Sequence, residues 1–147
     1  MKVCRRWTYL YRVVDQRGQV IDVMLSNRRD LAVARAFFDG ALAVGARPVE
    51  VTTDRAPAYP RVLDEYVPAA MHTVEQYANN PIESDHGRLK AWLRPIRSLK
   101  RFRSAQTLAS GHAFVQNLRR GHYEIATDEP AHHRLRIAFF DALALCV

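Results

Sequence analysis

The chain predicts an α/β fold, a mixed sheet flanked by helices. Three observations carry that reading. The front is an aromatic, β-branched hairpin; a stretch with helical spacing then leads to a short apolar run; the second half is mostly helical, punctuated by proline and glycine.

Trp7 to Val14 is aromatic and β-branched and predicts a strand. Asp15-Gln16-Arg17-Gly18 supplies a turn, and Gln19 to Leu25 the antiparallel return strand. Trp7, Tyr9 and Tyr11 alternate and so share one face, which favours a core over a base-stacking platform. Ser26 to Asp30 offers helix caps, and Leu31, Ala34, Phe37, Phe38, Ala41 and Leu42 recur at helical spacing until Gly45. Pro48 to Thr53 predicts a buried parallel strand that delivers Asp54 at its C-terminal end. Ala56 to Tyr66 reads as a short helix with Pro57 in its first turn, and Ala70 to Val74 as a short strand.

Asn80-Pro81 starts a helix that runs to the Arg94-Pro95 break. Pro95 to Arg103 predicts a basic loop, with Phe102 as a packing anchor among the cations. Ser104 suits the cap of a long helix to Arg120, closed by Gly121, with Leu108, Val115 and Leu118 on its buried stripe. Gly111 inside that helix costs ~1 kcal/mol relative to Ala and so points to close packing. Ile137 to Val147 predicts a last helix laid back on the body.

A chain of 147 residues is most economically one domain, able to bury roughly 70% of its unfolded surface. Residues 1–127 form the expected body and 128–147 a helical tail on it. No run approaches the ~18–20 apolar residues of a membrane span, and the basic N-terminus lacks the apolar core of a secretory signal. Cys4 and Cys146 lie near opposite ends without metal-ligand spacing, which predicts two free thiols in a cytoplasmic protein. The formal charge of +7 is concentrated. Asn79 to Gly121 holds Arg88, Lys90, Arg94, Arg97, Lys100, Arg101, Arg103, Arg119 and Arg120 against Glu83 and Asp85, so this segment alone carries +7. Such a local excess is the footprint of a polyanion such as DNA.

Two carboxylates stand out beside that basic stretch. Asp54 follows the β-branched run, and Glu83 lies in the first turn of the helix after Asn80. Lys90 is seven residues after Glu83, two helical turns, so both share one face. Carboxylates on separate elements beside cations suit metal-assisted chemistry on a phosphodiester. Asp85 reads first as a carboxylate favouring the helix N-terminus. His86 reads as a surface hydrogen-bonding histidine, and His132-His133 as a surface pair.

Four stretches resemble the IS-six family of insertion-sequence transposases: Trp7 to Arg12, Thr52 to Tyr59, Tyr77 to Lys90 and Gly111 to Gly121. The resemblance spans essentially the whole chain. It implies a DDE catalytic core of ribonuclease H-like fold that cleaves insertion-sequence ends and transfers the strands to target DNA. It makes Asp54 the second catalytic aspartate and Glu83 the catalytic glutamate, both ligands of Mg2+ or Mn2+. Lys90 matches the cation that engages the transposon end. The implied partners are terminal inverted repeats, target DNA and further transposase copies, as a homo-oligomer or mixed oligomer, in a nucleoid-associated setting.

In that family the first aspartate stands a few residues before the stretch matching Lys2-Val3-Cys4. The expectation is therefore an N-terminally truncated domain, with the first central strand largely missing. Asp15 and Asp22 are no substitutes for the lost aspartate. Negligible catalysis by the chain alone, and marginal stability or self-association, follow from that expectation. The alternative is a non-catalytic fragment that binds DNA or full-length transposase and regulates it.

Overall fold

The computed structural model describes residues 1–75, 80–93 and 99–145. The chain opens with a small hairpin, β1 (Lys2–Val3) and β2 (Arg6–Trp7), antiparallel with Lys2 opposite Trp7. Its turn residues Cys4 and Arg5 both have positive φ, 51° and 65°. A tight hairpin demands that backbone, but it usually takes Gly or Asn, so nothing in the sequence marks this turn. After Thr8 the strand resumes as β3 (Tyr9–Val14), antiparallel to β4 (Val20–Ser26) with Tyr9 opposite Ser26. Asp15 shapes the connecting turn by accepting from the Arg17 and Gln19 amides, both at 2.8 Å.

Side chains of β3 alternate between two faces. On one, Tyr11 packs under α1 (Leu31–Val44), its ring 5.5 Å from that of Phe37. Asp30 caps α1, its Oδ1 accepting from the Val33 amide at 2.9 Å, as the sequence predicts. α2 (Tyr59–Tyr66) lies on α1 through the Phe38–Tyr59 ring pair and the two-pronged Arg35–Glu65 bridge. This helix starts later than the sequence suggests: Pro60, not Pro57, sits in its first turn.

The other face of the hairpin meets α3 (Asn80–Leu93) and α4 (Phe102–Arg120). Val20, Val23 and Leu10 pack with Leu89, Ala109 and Ala113, and a second cluster joins Val3, Leu25, Leu99 and Ala105. α5 (Ala131–Leu145) packs on α4 and begins six residues before the expected Ile137. β5 (Glu50–Thr53) and β6 (Met71–Val74) form a separate parallel ladder. β5 is not the buried strand expected. Glu50 and Thr52 are exposed and Thr53 alone is buried.

α4 differs most from its sequence reading. Arg101 rather than Ser104 holds the cap position and makes no side-chain cap bond. Phe102 is 38% exposed. The buried stripe consists of small and polar residues: Ala105, Ala109, His112, Ala113, Gln116 and Asn117, together with Leu118. The reason is visible at β4. Gln106 accepts from the Leu25 amide at 2.7 Å and donates to the Val23 carbonyl at 2.8 Å. Asn117 does the same with the amide and carbonyl of Val20, both at 2.8 Å. Eleven residues separate the two amides, about three helical turns, so they sit on one line along the strand. They supply the bonds that a neighbouring strand would supply. Gly111 has open space around it, so no close approach explains it.

Candidate active site and nucleic-acid interface

Asp54 stands at the C-terminal end of β5, half exposed. Its Oδ1 accepts from the Ala56 amide at 3.0 Å, and its Oδ2 takes Arg29 Nη2 at 3.0 Å. The first bond is a local turn that fixes the carboxylate's direction. The second places a cation on its outward oxygen. Beneath it, Thr53 Oγ1 meets His72 Nε2 at 2.8 Å across the β5–β6 ladder. Burial and then the Asp54 charge push the nearby Tyr59 phenol up to about 12. The Tyr11 phenol is also raised, by burial first, with Asp54 among the smaller causes.

Glu83 is exposed in the first turn of α3, and Lys90 is exposed two turns on. What holds that helix in place is Asp85, which is 1% exposed. Arg120 Nη2 donates to Asp85 Oδ1 at 2.6 Å, Arg12 Nη1 lies 3.4 Å from Oδ2, and Arg88 Nη1 lies 3.8 Å from Oδ1. Arg120 Nη1 also donates to the Gly18 carbonyl at 2.8 Å. One carboxylate therefore joins β3, the β3–β4 turn, α3 and the end of α4. The Arg12 side chain is fully buried without a hydrogen bond, and burial lowers its pKa against the pull of Asp85. Asp85 is two residues from Glu83, about 200° around the helix. Drawing Asp85 and Leu89 inward turns Glu83 outward.

Asp85 is thus a buried ion-pair hub rather than only a first-turn carboxylate. His86 is half-buried and its Nε2 has no hydrogen-bond partner, so it is not the surface histidine expected. Burial, then Arg12 and Lys90, push its pKa down to about 4 and keep the ring neutral. The exposure of His132 and His133 matches expectation. Cys4 is a free, exposed thiol; Cys146 lies outside the described residues.

Of the predicted nucleic-acid cations, Arg88, Lys90, Lys100, Arg101 and Arg103 are exposed. Arg94 and Arg97 lie outside the described residues. Arg120 is largely committed to Asp85. Among the described residues, no three His, Cys, Asp or Glu side chains gather into a metal-holding set, and no helix is long and apolar enough to cross a membrane.

Sequence reasoning missed Arg12, Arg29, Gln106 and Asn117. Arg12 carried a signal. It alternates with Leu10 and Val14 on one face of a strand, and a cation on an apolar face needs a buried partner.

The architecture is that of a ribonuclease H-like domain. It superimposes on a chain in the cryo-EM structure of the simian T-cell lymphotropic virus intasome in complex with PP2A regulatory subunit B56 gamma, with a TM-score of 0.63 and 19% identity. That match covers 90% of this chain and 50% of the other. The sequence comparison is more specific, because residues 1–122 match the DDE domain family. The chain belongs to that family, as a DDE transposase domain of the IS-six group. Similar proteins include the transposase for insertion sequence-like element IS431mec and that for IS257 in transposon Tn4003, both from Staphylococcus aureus. Each is 33% identical over 95 residues, 61% of this chain and 42% of the relative. The matched stretch therefore spans less than half the length of these relatives.

Proposed function

We propose that this chain serves DNA transposition, taking part in metal-dependent cleavage and transfer of strands at insertion-sequence ends. Asp54 and Glu83 are the carboxylates that hold the ion, Mg2+ or Mn2+. Lys90, Arg88, Lys100, Arg101 and Arg103 grip the DNA backbone, joined by Arg94 and Arg97 of the intervening segment. The observation that carries this reading is the Asp85 hub, which holds Glu83 and Lys90 outward on the most basic segment of the chain. Asp54 lies on the Tyr11 side of β3, and α3 is anchored through Asp85 to Arg12 on the other side of that strand.

The donor chemistry suits a hard divalent ion. Both groups are exposed carboxylates, and Mg2+ is usually held by one or two of these plus waters and substrate phosphates. Arg29 already places positive charge on Asp54. When bound, the ion supplies charge stabilisation to the reacting phosphodiester. The protein's own contribution is positioning: Asp85 orients α3, the Ala56 amide aims Asp54, and the cations fix the duplex in register.

The test is Mn2+ affinity of the chain bound to terminal-repeat DNA. Asp54→Asn and Glu83→Gln should each weaken it at least tenfold, and any metal-dependent nicking should fall with it. Unchanged Mn2+ affinity in both variants overturns the assignment. DNA binding without metal binding would favour the regulatory, non-catalytic reading. Residues 1–127 are proposed as the functional body and 128–147 as an accessory helix on it.

A further inference from the structure

Trp7 and Tyr9 do not enter the core with Tyr11. Trp7 is 68% exposed and Tyr9 41%, whereas Tyr11 is 6% exposed beneath α1. Trp7 ends β2 and Tyr9 begins β3, with the buried Thr8 between them. Both line a cavity of about 270 Å³, with Leu10 and Leu89 among its apolar lining and His86 and Lys90 contributed by α3. Lys2 Nζ lies 5.3 Å from the centre of the Trp7 ring. Arg5 and Arg6 are exposed on the same small hairpin, and the first carboxylate in the chain is Asp15. The surroundings are cationic, and they lie beside the helix that carries Glu83 and Lys90.

We propose that this cavity is a binding site for one unpaired base of DNA, stacked on Trp7, with the adjoining phosphate held by Lys90 and Lys2. Stacking on an exposed aromatic is sequence-tolerant, because every base has a flat π face, and it requires a base that has left the duplex stack. The concentrated positive charge selects a polyanion over an apolar protein partner. That the polyanion is DNA rests on the function proposed above. The site adds single-strand preference to a surface whose other cations grip a duplex without regard to pairing.

The chain has two tryptophans, so Trp92→Phe leaves Trp7 as the sole tryptophan, excited selectively over the six tyrosines at the red edge of the absorption band. This variant is titrated with a duplex bearing a short oligo-dT overhang and with a blunt duplex of equal length. Trp7 emission should be quenched by the overhang substrate and not by the blunt one. The overhang should bind at least fivefold tighter, a preference that Trp7→Ala abolishes and Trp7→Phe partly keeps. Equal quenching by both substrates, or an unchanged preference in Trp7→Ala, overturns the site. If the overhang still quenches Trp7 while blunt-duplex binding ignores Lys100, Arg101 and Arg103, the base site stands and the basic-ridge reading falls. If duplex binding depends on those cations but Trp7 is silent, the ridge stands and the base site falls.

Discussion

Asp85 is the residue on which the site depends, because its removal strands a guanidinium. Asp85→Asn leaves Arg12 buried without a counter-charge, and breaking a buried pair from one side costs about 3–5 kcal/mol. Urea denaturation of this variant should show a loss in that range, whereas replacing Arg12 and Asp85 together by apolar residues should restore part of it. Arg29 has the opposite character. Its pair with Asp54 is half exposed and worth about 0–1 kcal/mol, so Arg29→Ala should leave stability nearly unchanged. Mn2+ affinity should then rise by up to about fivefold, as Asp54 loses a competing cation. Gly111 has free space where a Cβ would go, so Gly111→Ala should stabilise the chain by up to ~1 kcal/mol in the same denaturation assay.

His86 adds a pH dependence. Its ordinary pKa of 6.5 falls to about 4 in the folded chain, so between these values the unfolded state binds the extra proton. Stability from this group is present above pH 6.5 and is lost as the pH drops towards 4. His112, also lowered by burial and Arg12, acts in the same direction. The fall in melting temperature between pH 7 and pH 5 should shrink in His86→Gln; an unchanged fall would remove His86 from the account.

Among elements, those with strong local patterning were legible in the sequence. The β3–β4 hairpin, the Asp30-capped α1, β6 and the Asn80–Leu93 helix all stand within a residue or two of their predicted bounds. Asp54 at a strand end and Glu83 with Lys90 on one helix are also where the pattern puts them. What escaped depends on distant partners. The Cys4-Arg5 turn lacks a turn residue, and the polar face of α4 makes sense only once β4 lies against it. Asp85 found its role through Arg12 and Arg120, which are 73 residues before it and 35 after. Trp7 and Tyr9 stay out of the core because α1 covers only the Tyr11 end of the strand face.

For the whole molecule the testable quantity is the salt dependence of duplex binding. If five or six exposed cations each neutralise a phosphate, log affinity should fall with log salt at a slope of about −5. A slope near zero in a filter-binding titration would dismiss the basic segment as a DNA surface. The charge arrangement gives the number physical content. Arg12 and Arg120 are spent on Asp85, so substituting them should damage folding rather than change the slope, while Lys100, Arg101 and Arg103 should each lower it by about one.

Gln106 and Asn117 turn two backbone positions into reporters. The amide hydrogens of Leu25 and Val20 are shielded by side chains 81 and 97 residues further along, not by a strand mate. Their exchange with deuterium therefore times the docking of α4 alone, separately from closure of the hairpin they belong to.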